Sequence, residues 1–130
     1  MILLDANVLI GFLDQSDDHH ERALELLEEH DWDEFATSVL TVAEVLVHPT
    51  KAGTQDAAMA ALHRIGVQLL PVDPGAALEI ARVRSMYRVR MPDAVVLHSA
   101  LEARASVATF DKGLAAAARQ AGLTALGLPA

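Results

Sequence analysis

The chain predicts an α/β fold: one domain over residues 1–130, with a central, mostly parallel sheet of about five short strands sandwiched by helices. Three observations lead there. Short apolar runs recur along the chain, several of them closed by Asp or Pro, as buried strands are. Helix-patterned segments separate these runs, and that alternation is the mark of a parallel sheet with helices on its faces. No repeat, low-complexity tract or linker interrupts the series, and 130 residues suffice for a single core.

Taken in order, Ile2 to Leu4 is an apolar run ending at Asp5 and reads as a buried strand. Asn7 to Leu13 is a short helix. Asp17 and Asp18 precede a helix from about His19 to Glu29, with acids in its first turn, where they suit the helix dipole. Phe35 to Ser38 is the second strand. Thr41 to Val47 is helical and stops near His48-Pro49, because a residue before proline avoids helical backbone. Gln55 to Ile65 is a helix ended by Gly66, and Val67 to Leu70 is a strand closed by Pro71. Ala76 to Tyr87 is helical. Pro92 to Ala103 is another helix, with proline in a first-turn position where no N–H is needed. Ser106 to Phe110 is the fourth strand and runs into Asp111. Leu114 to Gln120 is helical, with Gly122 as its stop, and Leu123 to Leu128 is the last strand.

Composition narrows the chemistry. Apolar residues make up 52% and aromatic ones 4%, so aliphatic packing dominates. The absence of cysteine excludes disulfides and thiolate metal sites. Met1 to Asp5 lacks a basic start, so no signal peptide is expected; no apolar stretch approaches a membrane span, and a cytoplasmic protein is the expectation. The net charge of -8 argues against a nucleic-acid partner only until its distribution is considered. Asp14 to Glu34 holds ten acids and one base, Arg22, and the rest of the chain is close to neutral.

Four acids fall where neutral residues or helix caps are expected: Asp5, Glu44, Asp93 and Asp111. Asp5 and Asp111 directly follow apolar strands, and ligands of open parallel sheets bind beyond strand carboxyl ends. Both also fit helix N-caps. Leu40, Ala43, Glu44 and Val47 share one helix face, which puts a carboxylate on or beside the stripe expected to meet the core. A capping box, Thr41 to Glu44, explains the same residue. Asp93 follows Pro92 at a helix start, where a dipole-stabilising role is the plain alternative. All four could point into one crevice. Clustered carboxylates repel unless protons or a cation lie between them, and an all-oxygen site selects a hard divalent ion such as Mg2+, with Mn2+ a plausible substitute.

With those residues in view, the chain resembles PIN domains. Ile2-Leu3-Leu4-Asp5-Ala6-Asn7-Val8 is similar to their opening segment, Ser38 through Thr41 to Glu44 to the second acid, Met91-Pro92-Asp93-Ala94 to the third and Thr109-Phe110-Asp111 to the fourth. The four motifs come in the family's order and span essentially the whole chain. Its size resembles that of VapC-type toxins of type II toxin–antitoxin modules. The resemblance implies a Mg2+-dependent endoribonuclease. Asp5 and Asp93 would be the principal metal ligands. Glu44 would complete the shell directly or through water, Asp111 would hold a second ion or ordered water, and Asn7 and Thr109 would orient ligands or water. It further implies an RNA substrate, a small antitoxin protein, a homodimer that forms a heterotetramer or larger assembly with the antitoxin, and operator DNA bound only through the antitoxin. His98 departs from the small apolar residue common at that position.

Other features carry less. Adjacent His19 and His20 lie about 100° apart on a helix and rarely share a ligand sphere; a solvated helix start explains them better. Arg88 and Arg90, just before Asp93, are placed to hold phosphates, and a solvated surface explains them too. Trp32 lies among acids and makes a poor stacking platform. The acidic segment, with Phe12, Leu13, Leu24 and Leu27 as apolar anchors, suits a protein partner. A haloacid-dehalogenase-like phosphatase is the second enzyme reading, weakened because Asn7 stands where its acid–base carboxylate belongs. A PIN-like module that only binds partners is the non-enzyme reading, favoured by loss of acids, and none is lost.

Overall fold

The computed structural model describes residues 1–128; the last two residues of the predicted domain lie outside that range. Strands and helices alternate as β1 (Ile2–Leu4), α1 (Ala6–Leu13), α2 (His20–Glu29), β2 (Phe35–Ser38), α3 (Val39–Val45), α4 (Val47–Ala52) and α5 (Gln55–Arg64). They continue as β3 (Gln68–Leu70), α6 (Ala76–Tyr87), α7 (Met91–Ala103), β4 (Ser106–Ala108), α8 (Lys112–Gln120) and β5 (Ala125–Leu126). The five strands form one sheet in the order β3-β2-β1-β4-β5, and every pairing is parallel.

Register follows from burial. Ile2 and Leu4 point to one face and Leu3 to the other, because strand side chains alternate. The first face is covered by α1, α2, α3 and α5 through Val8, Leu9, Leu26, Val42 and Leu62. The second is covered by α7 and α8 through Val96, Leu97, Ala100, Leu114 and Ala118. Ala76 and Ile80 of α6 pack outside α7, on Ala94 and Val95. Both faces of β1 are dry, which is why it reads as an unbroken apolar run. The chain winds β1-β2-β3 in one direction and then returns to place β4 on the other side of β1. That reversal opens a crevice at the carboxyl ends of β1 and β4.

Differences from expectation cluster around the second acid. The helix expected from Thr41 begins at Val39, because Ser38 is its N-cap and its Oγ accepts the Leu40 N–H at 3.2 Å. Thr41 is therefore inside the helix, and the predicted capping box does not form. Nor does the helical backbone stop at His48-Pro49. It breaks at Leu46 and resumes as α4, where Pro49 is a first-turn residue that needs no N–H partner. The strands are also shorter than expected: β3 begins at Gln68, β4 ends at Ala108 and β5 is reduced to Ala125–Leu126.

Candidate active site

Asp5 leaves β1 with extended backbone and serves as N-cap of α1. One carboxylate oxygen accepts the Ala6 N–H at 2.8 Å, and the other accepts the Thr109 hydroxyl at 2.7 Å. The capping role and the crevice position are thus held by the same side chain. Asp111 behaves alike two residues beyond Thr109: it is the N-cap of α8 and accepts the Leu114 N–H at 2.8 Å.

Thr109 is fully buried and ties these elements together. Its hydroxyl donates to Asp5 and accepts both the Asp111 N–H at 3.0 Å and the Asn7 side-chain amide at 3.3 Å. The Asn7 carbonyl in turn accepts the Phe110 N–H at 3.2 Å. Asn7 therefore spans from α1 to the segment after β4 and positions it, and a carboxamide cannot take the acid–base role of a phosphatase. Thr109 and Phe110 fall beyond the strand predicted to contain them because their backbone turns to bring the hydroxyl under Asp5.

Asp93 enters from α7, one turn past Arg90 and just after Pro92. It is buried, and the Arg90 guanidinium reaches to 3.6 Å of its carboxylate. Burial raises the Asp93 carboxyl above the ordinary carboxylate range; Arg90 opposes that rise and Asp111 adds to it. Burial likewise pushes Asp5 up to about 6. The Thr109 hydroxyl and Ala6 N–H pull it back, while the negative charges of Asp93 and Asp111 raise it further. The mutual effects of Asp5, Asp93 and Asp111 follow from their convergence on one crevice.

Glu44 is placed differently. The expected core-facing stripe is exposed, Leu40, Ala43 and Glu44 on α3 and Val47 at the start of α4, while Thr41, Val42 and Val45 are buried. Glu44 borders a cleft of about 260 Å3 with Met91, Pro92 and Val95 of α7, and a larger one of about 750 Å3 that includes Ile10 and Leu13 of α1. Its side chain is solvated, and the clefts it borders are lined by none of the other three acids.

Arg90, expected to hold phosphates or to be a solvated surface residue, pairs with Asp93 at i,i+3 spacing, a signal visible in the chain. Arg88 is the exposed C-cap of α6. The two adjacent histidines part company: His19 stacks on Phe110 at 4.7 Å, and His20 Nδ1 meets the Gly11 carbonyl at 2.7 Å. Trp32 is 76% exposed. Among the described residues, no helix is long and apolar enough to cross a membrane.

The fold has solved counterparts. A toxin–antitoxin complex from Klebsiella pneumoniae superposes with a TM-score of 0.74 at 26% identity, over 89% of this chain and 91% of that one. VapC20 of Mycobacterium tuberculosis, described as a toxin that cleaves the sarcin–ricin loop, gives 0.74 at 17% identity over 90% and 95%. VapBC2 from Rickettsia felis, bound to a DNA fragment from its promoter, gives 0.68 at 16% identity over 97% and 98%. No curated protein matches the chain. Residues 2–120, which include all four acids, match the model of the PIN domain, and the chain belongs to that family.

Proposed function

We propose that this chain is a Mg2+-dependent endoribonuclease, the toxin of a VapBC-type toxin–antitoxin module. The observation that carries the reading is the convergence of Asp5, Asp93 and Asp111 at the carboxyl ends of β1 and β4, where each negative charge opposes the next. Such a cluster fits a hard divalent cation: its donors are all oxygen, and burial, with the negative charges of Asp93 and Asp111, keeps Asp5 above its usual range. Asp5 and Asp93 would hold the ion directly, Glu44 directly or through water, and Asp111 a second ion or a water. When bound, the ion lowers the pKa of a coordinated water and neutralises the scissile phosphate.

The chain's own residues do the rest. Thr109 orients Asp5 through its hydroxyl, and Asn7 holds Thr109 and the backbone of Phe110 in place. Arg90 offsets the charge of Asp93 and, with Arg88, presents positive charge to RNA phosphates at the crevice mouth. The likeness to the Klebsiella toxin–antitoxin complex supports a small antitoxin partner, and the Rickettsia complex supports operator DNA reached through that antitoxin. A homodimer that forms a heterotetramer or larger with the antitoxin completes the assembly we propose.

Incubation of a mixed RNA pool with the wild type and with Asp5→Asn, with and without Mg2+, tests the assignment. Cleavage by the wild type that stops on chelation and falls at least a hundredfold in the variant is expected. Equal cleavage by both proteins removes the activity from this site.

A further inference from the structure

Away from the carboxylate crevice, α6 and α7 bring Glu79, His98 and Glu102 together. His98 is buried, 7% exposed, whereas both glutamates are open to solvent. Its two ring nitrogens face different carboxylates: Nδ1 lies 3.7 Å from Glu79 and Nε2 lies 3.5 Å from Glu102. These two ion-pair contacts are the polar contacts His98 makes among the described residues. A neutral imidazole carries one N–H and one lone pair. Whichever tautomer is present, one ring nitrogen turns its lone pair toward a negatively charged oxygen. Two acceptors held this close are favoured by a cation between them, either a proton on the ring or a metal ion.

We propose that Glu79, His98 and Glu102 form a second metal site, specific for a divalent transition ion of the zinc type and separate from the carboxylate crevice. Three features support a metal over a solvated trio. One donor atom from each residue lies within 4.8 Å of the other two, so a single ring nitrogen and, after rotation of the exposed glutamates, one oxygen of each carboxylate can meet one ion at ligand distances of about 2.0–2.2 Å. The donor set of one imidazole and two carboxylates suits zinc and its neighbours, whereas Mg2+ takes oxygen alone. A cleft of about 490 Å3, walled by Arg82, Met86 and Tyr87, leads to the trio from solvent and leaves room for water ligands.

His98 and Glu102 are one turn apart on α7, and Glu79 comes from α6, so the ion would staple the two helices. His98 lies five residues past Asp93, which is about 7.5 Å along the helix and about 140° around it. The two sites therefore occupy different sides of α7. The ion would fix the helical hairpin that presents Arg90 and Asp93, and its binding does not depend on the nuclease reading.

The test uses the full chain, stripped of metal and then kept in excess Mg2+ so that the acidic crevice is satisfied. Zinc is titrated against a chromophoric chelator, and thermal melting is followed in parallel. One zinc per chain and a melting temperature that climbs with zinc are expected. Glu79→Gln and Glu102→Gln, both at exposed positions, should fold as the wild type does without zinc and weaken zinc binding at least about tenfold each. In the wild type, the nitrogen resonance of one His98 ring atom should move on zinc addition. Unchanged zinc affinity in the Glu79→Gln/Glu102→Gln double variant overturns the proposal. So does a His98 ring that stays doubly protonated at neutral pH while the chain takes up no zinc, for then a proton is the bridging cation.

Discussion

Asp5 joins two strands' worth of structure on one carboxylate: it starts α1 and it anchors Thr109. Its cost is electrostatic. A folded-state value of about 6, against an ordinary 3.8, means that the unfolded chain gives up this proton first as the pH rises. Metal-free stability is therefore lost between about pH 4 and pH 6, and the loss is complete above that, at about 3 kcal/mol. Asn at this position carries no charge and, like the protonated acid, offers one acceptor for the Ala6 N–H and one donor beside Thr109. Asp5→Asn is expected to stabilise the chelator-treated protein by about 2–3 kcal/mol at pH 7.5 and by almost nothing near pH 3.5. Urea denaturation at the two pH values checks this, and an equal effect at both would refute the electrostatic account. Thr109 shows why a hydroxyl is needed beside that charge, since it donates to Asp5 while accepting from Asp111 and Asn7.

Among the elements, the short β4–β5 pair has the tightest tolerance. Gly127 follows β5 with φ of +106°, and a Cβ there would lie 2.5 Å from the Thr109 carbonyl oxygen. Gly122 also has positive φ, +86°, but open space around it. Gly127→Ala should therefore cost about 2–3 kcal/mol, and Gly122→Ala about 1 kcal/mol, in urea denaturation. Similar losses for the two would show that the contact with Thr109 has no weight. At α3 the periodicity misleads for a physical reason. The segment carries apolar residues on two sides, Val42 and Val45 on one, Leu40 on the other with Val47 following at the start of α4. Both stripes satisfy helical spacing, and only the packing of α3 against β2 and α7 decides which is buried.

Across the whole molecule, charge is segregated by the fold. Most of the acidic excess sits from the end of α1 through α2 to the start of β2, whereas the crevice opens beyond the carboxyl ends of β1 and β4, with Arg90 paired to Asp93. If Asp5 and Asp93 share a hard cation, folding and binding are linked: Mg2+ at a hundred times its dissociation constant adds about 2.7 kcal/mol. The melting temperature of the wild type is expected to rise with Mg2+ and not with K+ at equal ionic strength, and Asp93→Asn should abolish the rise. A shift of the same size in that variant would place the ion elsewhere. Local chemistry made much of this legible in advance. Apolar runs ending at Asp5 and Asp111, and Pro92 ahead of Asp93, mark strand exits and a helix start through burial and backbone limits that act within a few residues. The alternation of elements likewise determined the parallel sheet. Only the tertiary structure decided that Glu44 lies on the exposed side of α3, that Thr109 links Asp5 to Asp111, and that His98 meets Glu79 across two helices. Those relations join side chains distant in the chain or choose between equivalent helix faces, and they depend on how the layers pack.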